Sequence, residues 1–208
     1  IRHDVEFSVD RALKIAKIDQ SFGVRSTFFF QVLSAAYNPF SVPDAEKIWK
    51  ISRAGHEIGL HFYVSHIKQN DWSHLEDELT RQKALFELGL NMPCRVFSFH
   101  RPPRWVLEYR GDTIGGMLNA YGESFFELAE SPINIKYIAD SKHRWSYGYP
   151  LRFSDSKKLQ ILLHPDEWSA EGDDSNDEFF DALREENSSS FFETLERETN
   201  HFRYSGDS

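Results

Sequence analysis

The residues of this chain that could do chemistry are most concentrated in Gly55-His56-Glu57-Ile58-Gly59-Leu60-His61-Phe62, with His66 following in the next loop. Ile58 and Leu60 alternate with small or polar residues, the pattern of a short buried strand. A histidine at the end of such a strand, and a second in the loop after it, suit two imidazoles on one divalent cation. Elsewhere stand Asp4 and Glu6, His100 and Arg101, Asp140, and His164. Singly, each has an ordinary reading: Asp4 as a helix cap, His100 as a satisfied core histidine, Arg101 in a structural ion pair, His164 as a turn residue before proline. Together they obey one rule, which emerges from the elements that must hold them.

Ile1 to Phe7 reads as a strand, with Ser8 able to cap the next helix and Asp10 in its first turn. Ala12, Leu13, Ile15, Ala16 and Ile18 give that helix one apolar face, and Gly23 stops it. Val24 to Val32 is a second strand, apolar enough to be buried on both sides. Pro43 and Asp44 open a helix that ends at Gly55, before the His56–His61 strand. Ser73-x-x-Glu76 has the form of a capping box for a long helix ending at Gly89. Further strands are expected over 95–99, 133–138 and 160–163, and helical pieces in the tail over 179–183 and 191–202. The middle, 105–132, is less regular and is broken at Gly115-Gly116. Repeated strand–helix pairs predict a parallel sheet in one domain spanning residues 1–208. Asp4, Glu6, His61, His100, Arg101, Asp140 and His164 then all fall at C-terminal strand ends, the rim on which parallel barrels build active sites. That shared placement points to a metal-dependent hydrolase.

Composition narrows the partners. The 24 Lys and Arg against 33 Asp and Glu leave a formal charge of −9 and no broad basic face for nucleic acid or an anionic membrane. Cys94 is the single cysteine, so an intrachain disulfide and a Cys-rich zinc site are both excluded, and its apolar surroundings predict an inert buried thiol. With no apolar run of about 18 residues, membrane insertion is not expected. A cytoplasmic location is the default expectation, although Ile1 already lies inside a strand-like run, which leaves room for a leader outside this sequence.

The ordered motifs His3-Asp4-Val5-Glu6, Gly55-His56-Glu57-Ile58-Gly59-Leu60-His61, Arg101-Pro102-Pro103, Asp140-Ser141 and Leu162-Leu163-His164 resemble those of the polysaccharide deacetylases, the NodB-like carbohydrate esterases. The resemblance extends from Ile1 to about Trp168. It implies an α/β fold, a distorted and incomplete TIM-like (β/α) barrel of about seven parallel strands, and removal of acetyl groups from sugars with one divalent metal: zinc, or else cobalt, nickel or manganese. By the same resemblance Asp4 is the catalytic base, Arg101 the arginine paired with it, Asp140 a supporting acid and His164 the general acid. Glu6 stands where a metal-binding Asp is expected, and His61 matches the first metal histidine. This sequence departs from the pattern in three places. Position 6 is Glu rather than Asp, His66 lies five rather than four residues after His61, and Arg104-Trp105 replaces the usual Tyr-Gly. His100 therefore competes with His66 as third ligand, and Asp4 remains an alternative to Glu6.

The chemistry fits the residues. A cation held by two imidazoles and a carboxylate leaves positions for water and for a carbonyl oxygen. Asp4 would take the water's proton, and His164 would protonate the departing sugar nitrogen. Pro102 and Pro103 have no N–H, so the first backbone donor after Arg101 for an oxyanion is that of Arg104. Trp105, Trp145 and Trp168, with Tyr147 and Tyr149, flank the rim motifs and offer aromatic faces to sugar rings. Two other readings stand beside the deacetylase: a metal-dependent amide hydrolase or deformylase on another substrate, and a catalytically silent sugar-binding relative with a degenerate metal site.

Overall fold

A computed structural model describes residues 1–126, 135–142, 144–168, 176–199, 201 and 203. The chain divides into two compact units, Ile1–Asp166 and Glu167–Ser208. In the first, eight strands among the described residues form one sheet: β1 (Arg2–Val5), β2 (Thr27–Phe30), β3 (Glu57–Tyr63), β4 (Val96–His100), β5 (Thr113–Ile114), β6 (Met117–Asn119), β7 (Ile135–Ala139) and β8 (Lys158–Leu163). Their order is β5-β6-β4-β3-β2-β1-β8-β7, and every pairing is parallel except that of β5 with β6. β5 and β7 are the two edges, so the barrel is open, an incomplete (β/α) barrel with seven parallel strands.

The helices that connect these strands follow local rules. α1 (Val9–Ser21) is capped by Ser8, whose hydroxyl accepts from the Arg11 N–H. α2 (Val42–Arg53) is capped by Ser41, with Pro43 in its first turn. α3 (Trp72–Leu90) is capped by Asp71 rather than by the expected Ser73, and it runs past Gly89 to end on Asn91 in the left-handed region at φ 49°. Gly89 serves packing instead: a Cβ there would strike the Phe40 ring. The irregular middle contains a short helix α4 (Arg104–Leu107) and the β5–β6 hairpin. Gly115 and Gly116 take positive φ in the hairpin turn, a conformation that suits two glycines. The predicted fifth strand keeps its later part as β7, and residues 133 and 134 lie outside the described residues.

Strand alternation separates two environments. Phe28, Phe30, Ile58, Leu60, Phe62, Phe97 and Phe99 are almost fully buried in one large apolar core with the helices. Arg2, Asp4, His61 and Ser98 are linked to one another across the opposite face, the bore. Gly59 lets the bore close: a Cβ there would come within 2.7 Å of both Phe29 and Val96. Cys94, just before β4, is buried, and its Sγ donates to the Val96 carbonyl at 3.6 Å.

Among the described residues of the second unit one helix, α5 (Asn176–Glu198), replaces the two helical pieces expected in the tail, and positions 200 and 202 lie outside the described residues. Among the described residues no helix is long and apolar enough to cross a membrane.

Candidate metal and catalytic centre

Parallel pairing puts the C-terminal ends of β1, β3, β4, β7 and β8 along one rim. The register sets His61 opposite Ser98 and Tyr63 opposite His100, so the two histidines come from neighbouring strands at adjacent levels. Glu6, one residue beyond β1, reaches in between them. Its Oε1 lies 3.0 Å from His100 Nδ1 and 3.8 Å from His61 Nε2, and those two ring nitrogens are 3.2 Å apart. One carboxylate oxygen and two imidazole nitrogens thus converge on a small volume.

Hydrogen bonding fixes the tautomer of His61. Ser98 Oγ lies 3.3 Å from Asp4 Oδ1 and 2.7 Å from His61 Nδ1. An ionised Asp4 can only accept, so the Ser98 proton goes to it, and Ser98 Oγ accepts from His61 Nδ1–H. The Nε2 lone pair is left facing Glu6 and His100, the state a cation needs. Burial alone would raise the Glu6 pKa, but the His100 ring at 3.0 Å and the charge of His164 hold it well below the usual carboxylate range in the metal-free protein. The donor set suits a borderline cation such as zinc.

Asp4, 2% exposed, is held by an arginine, and that arginine is Arg2. Arg2 Nη2 donates to Asp4 Oδ2 at 2.9 Å and to the Tyr121 hydroxyl at 2.7 Å. The guanidinium lies 4.4 Å from the centre of the Tyr121 ring and 5.8 Å from that of Phe29. Burial opposes its charge, but Asp4 and Tyr121 outweigh this, and the Arg2 pKa rises further above its already high value. On the far side of Glu6, His164 Nδ1 donates to Asp140 Oδ1 at 2.7 Å, and Asp140 Oδ2 also accepts the His164 backbone N–H at 2.9 Å. His164 Nε2 then faces Glu6 at 3.9 Å. Burial works against protonation there, but the Asp140 bond and the charges of Asp140, Asp4 and Glu6 push the His164 pKa up to about 9.

No protein-family model matches the chain, and no curated protein does. It is similar to solved structures of one family. A CE4 family pseudoenzyme of Bacillus anthracis, in a mutant with restored enzymatic activity, aligns at 16% identity and a TM-score of 0.48 over 91% of this chain and 62% of that one. The chitin deacetylase of the fungal pathogen Colletotrichum lindemuthianum aligns at 15% identity and 0.45, over 89% and 80%. The Xyl-CE4 domain of a multidomain xylanase from the hindgut metagenome of Trinervitermes trinervoides aligns at 13% and 0.44, over 93% and 88%. The likeness is to CE4 proteins. This chain spans about three-fifths of the pseudoenzyme's length.

Of the residues singled out in the sequence, the structure brings Asp4, Glu6, His61, His100, Asp140 and His164 together. Others fall elsewhere. His66, in the loop beyond β3, is 40% exposed and lies 3.8 Å from Glu78 on α3, so the place beside His61 goes to His100. The expected Asp4–Arg101 pair is not formed. Arg101 takes φ 49° in the turn after β4 and is exposed, while Arg2 occupies the Asp4 carboxylate. Arg104 is exposed and paired with Glu108. Trp105 is buried, edge-on to Trp72 at 4.8 Å, and so belongs to the core rather than to a sugar-binding surface. Trp145 lies in the loop beyond β7, edge-on to Tyr149. Trp168 belongs to the second unit and is exposed. Arg2, Ser98, Tyr121 and Asp166 are the contributors that motif reading passes over. Arg2 had a signal, since Arg2, Asp4 and Glu6 sit at alternating positions and share one face of an extended chain.

Proposed function

We propose that this chain is a metal-dependent hydrolase that removes the acetyl group from an N-acetylated sugar. The observation that carries the reading is the convergence of Glu6 Oε1, His61 Nε2 and His100 Nδ1, with Asp4 on one side and His164 on the other. Those three atoms would hold one divalent cation, zinc or a similar ion. When bound, the cation supplies a Lewis acid that polarises the acyl carbonyl and makes water easier to deprotonate.

The chain's own groups do the rest. Asp4 is the base, and with Arg2 and Ser98 on its two oxygens its rotamer is fixed. His164 is the acid: Asp140 on Nδ1 orients the ring and keeps it protonated, so that Nε2–H can be given to the departing amine. A carboxylate as base and an imidazole kept protonated by its neighbours as acid can serve at one pH. The sugar as acyl carrier rests on the motif resemblance, and Trp145, Tyr147 and Tyr149 offer ring faces for it.

The test loads the purified protein with zinc or cobalt and measures acetate release from N-acetylated sugar oligomers. Turnover should vanish on chelation and return with metal, and Asp4→Asn should lower it by about 10²–10⁴-fold while cobalt still binds. A metal-loaded protein that releases no acetate, or an Asp4→Asn variant with wild-type turnover, overturns the reading.

A further inference from the structure

Asp166, two residues beyond His164, is 1% exposed and sends its carboxylate back towards β1. Its Oδ2 accepts the Glu6 N–H at 3.0 Å and its Oδ1 the Ser8 N–H at 2.6 Å, while its own carbonyl accepts from Arg11 Nη1 at 2.6 Å. This is not an ordinary helix cap, because Ser8 already caps α1 through the Arg11 N–H. The amides of Glu6 and Ser8 precede the helix and belong to the turn that carries the Glu6 side chain. Burying a carboxylate this deeply is costly unless its oxygens are satisfied, and here backbone amides satisfy them.

We infer that Asp166 is a positioning residue that fixes the Glu6–Ser8 backbone at the distance from which a glutamate, and not an aspartate, reaches His61 and His100. The inference rests on the metal reading above. From the present backbone Glu6 Oε1 stands 3.0 Å from His100 Nδ1. Removing one methylene draws the carboxylate back by about 1.5 Å, one carbon–carbon bond. With both amides pinned, the turn cannot advance to close that gap. The residue that resembles a departure from the motif, Glu for Asp at position 6, is then matched to the strap behind it. The same strap ties the turn bearing Glu6 to the segment bearing His164, so ligand and acid keep a fixed separation.

A double-mutant cycle on cobalt affinity tests this, using wild type, Glu6→Asp, Asp166→Asn and the double variant, with folding checked by circular dichroism. Asp166→Asn should weaken cobalt binding by about 10–100-fold, the usual effect of losing a residue that orients a ligand. Glu6→Asp should weaken it at least as much. The double variant should bind better than the product of the two losses, because a freed turn can advance the shorter carboxylate. A role in stability alone would give independent effects and an unchanged cobalt absorption spectrum, and that result overturns the inference. So does Glu6→Asp binding cobalt as tightly as wild type. If Asp166→Asn does not fold, Arg11→Met, which removes the donor to the Asp166 carbonyl, should still shift the cobalt spectrum and weaken binding about threefold, a fraction of that loss; no shift counts against it. A wild-type protein that binds no cobalt sinks the metal reading as well, whereas wild-type binding with strictly independent variants sinks this inference only.

Discussion

Two histidine–aspartate pairs in the first unit have nearly equal lengths, 2.8 Å for His3 with Asp19 and 2.7 Å for His164 with Asp140, yet they hold protons in opposite ways. His3 faces the helices, stacked on Phe28 at 4.3 Å, and burial lowers its pKa despite the Asp19 partner. Asp19 is partly exposed and shares its Oδ2 with the Ser26 hydroxyl, so less of its charge is concentrated on the imidazole. His164 faces the bore, where burial also opposes protonation, but Asp140, Asp4 and Glu6 surround it and lift it to about 9. A hydrogen bond to a carboxylate therefore does not make a histidine an acid. The wider field of charge decides.

The signs for pH dependence follow in metal-free protein. A raised folded pKa means that the His164 pair contributes stability below the unfolded value of about 6.5 and loses it as pH rises through about 9. A lowered folded pKa means that His3 costs nothing above about 6.5 but weakens the fold as pH falls below it.

The largest expected effect breaks the comparison at the bore. His164→Ala should reduce turnover by about 10²–10⁴-fold, remove the alkaline limb of the pH–rate profile and leave cobalt binding intact. An unchanged alkaline limb would mean that the field around His164 has no part in the chemistry. Next comes the source of that field. Arg2→Met strips Asp4 of its buried partner and should destabilise the protein by about 3–5 kcal/mol in denaturant titrations, whereas the exposed change Arg101→Lys should stay within about 0.5 kcal/mol. Equal effects of the two would contradict the assignment of Arg2 to Asp4. Smallest is His3→Gln, expected to cost about 1–3 kcal/mol of stability, flatten the stability slope below about pH 6.5 and leave turnover unchanged. A large loss of turnover there would erase the distinction between the two pairs.

Much of this arrangement could be read from the sequence, because strand ends and caps are local. Ser8 and Ser41 cap their helices through short-range hydrogen bonds, and the motif carboxylates and histidines fall on the C-terminal rim that parallel strands create. What could not be read depends on register and on long-range partners. Whether His66 or His100 joins His61 turns on the β3–β4 register, which sets Tyr63 beside His100 and leaves His66 in an exposed loop. Asp166 is 160 residues from Glu6 along the chain, and nothing local announces that its carboxylate returns to β1. The choice of Arg2 over Arg101 was partly visible in strand alternation, but it was settled by the left-handed turn at Arg101. Ser73 lost its capping role to Asp71 because either residue fits the local pattern, and the helix begins at Trp72.

Cys94 carries one more consequence. Its thiol is 1% exposed, and burial, with the nearby Glu87 charge, pushes its pKa up to about 12, so an alkylating reagent finds no thiolate in the folded protein. It lies at the foot of the strand whose other end carries Ser98 and His100. Its labelling rate is therefore a clock for the opening of β4, and a ligand that binds only the folded strand slows that clock in proportion to its occupancy. One thiol, with no introduced label, converts binding at the rim into a rate measured at the opposite end of the strand.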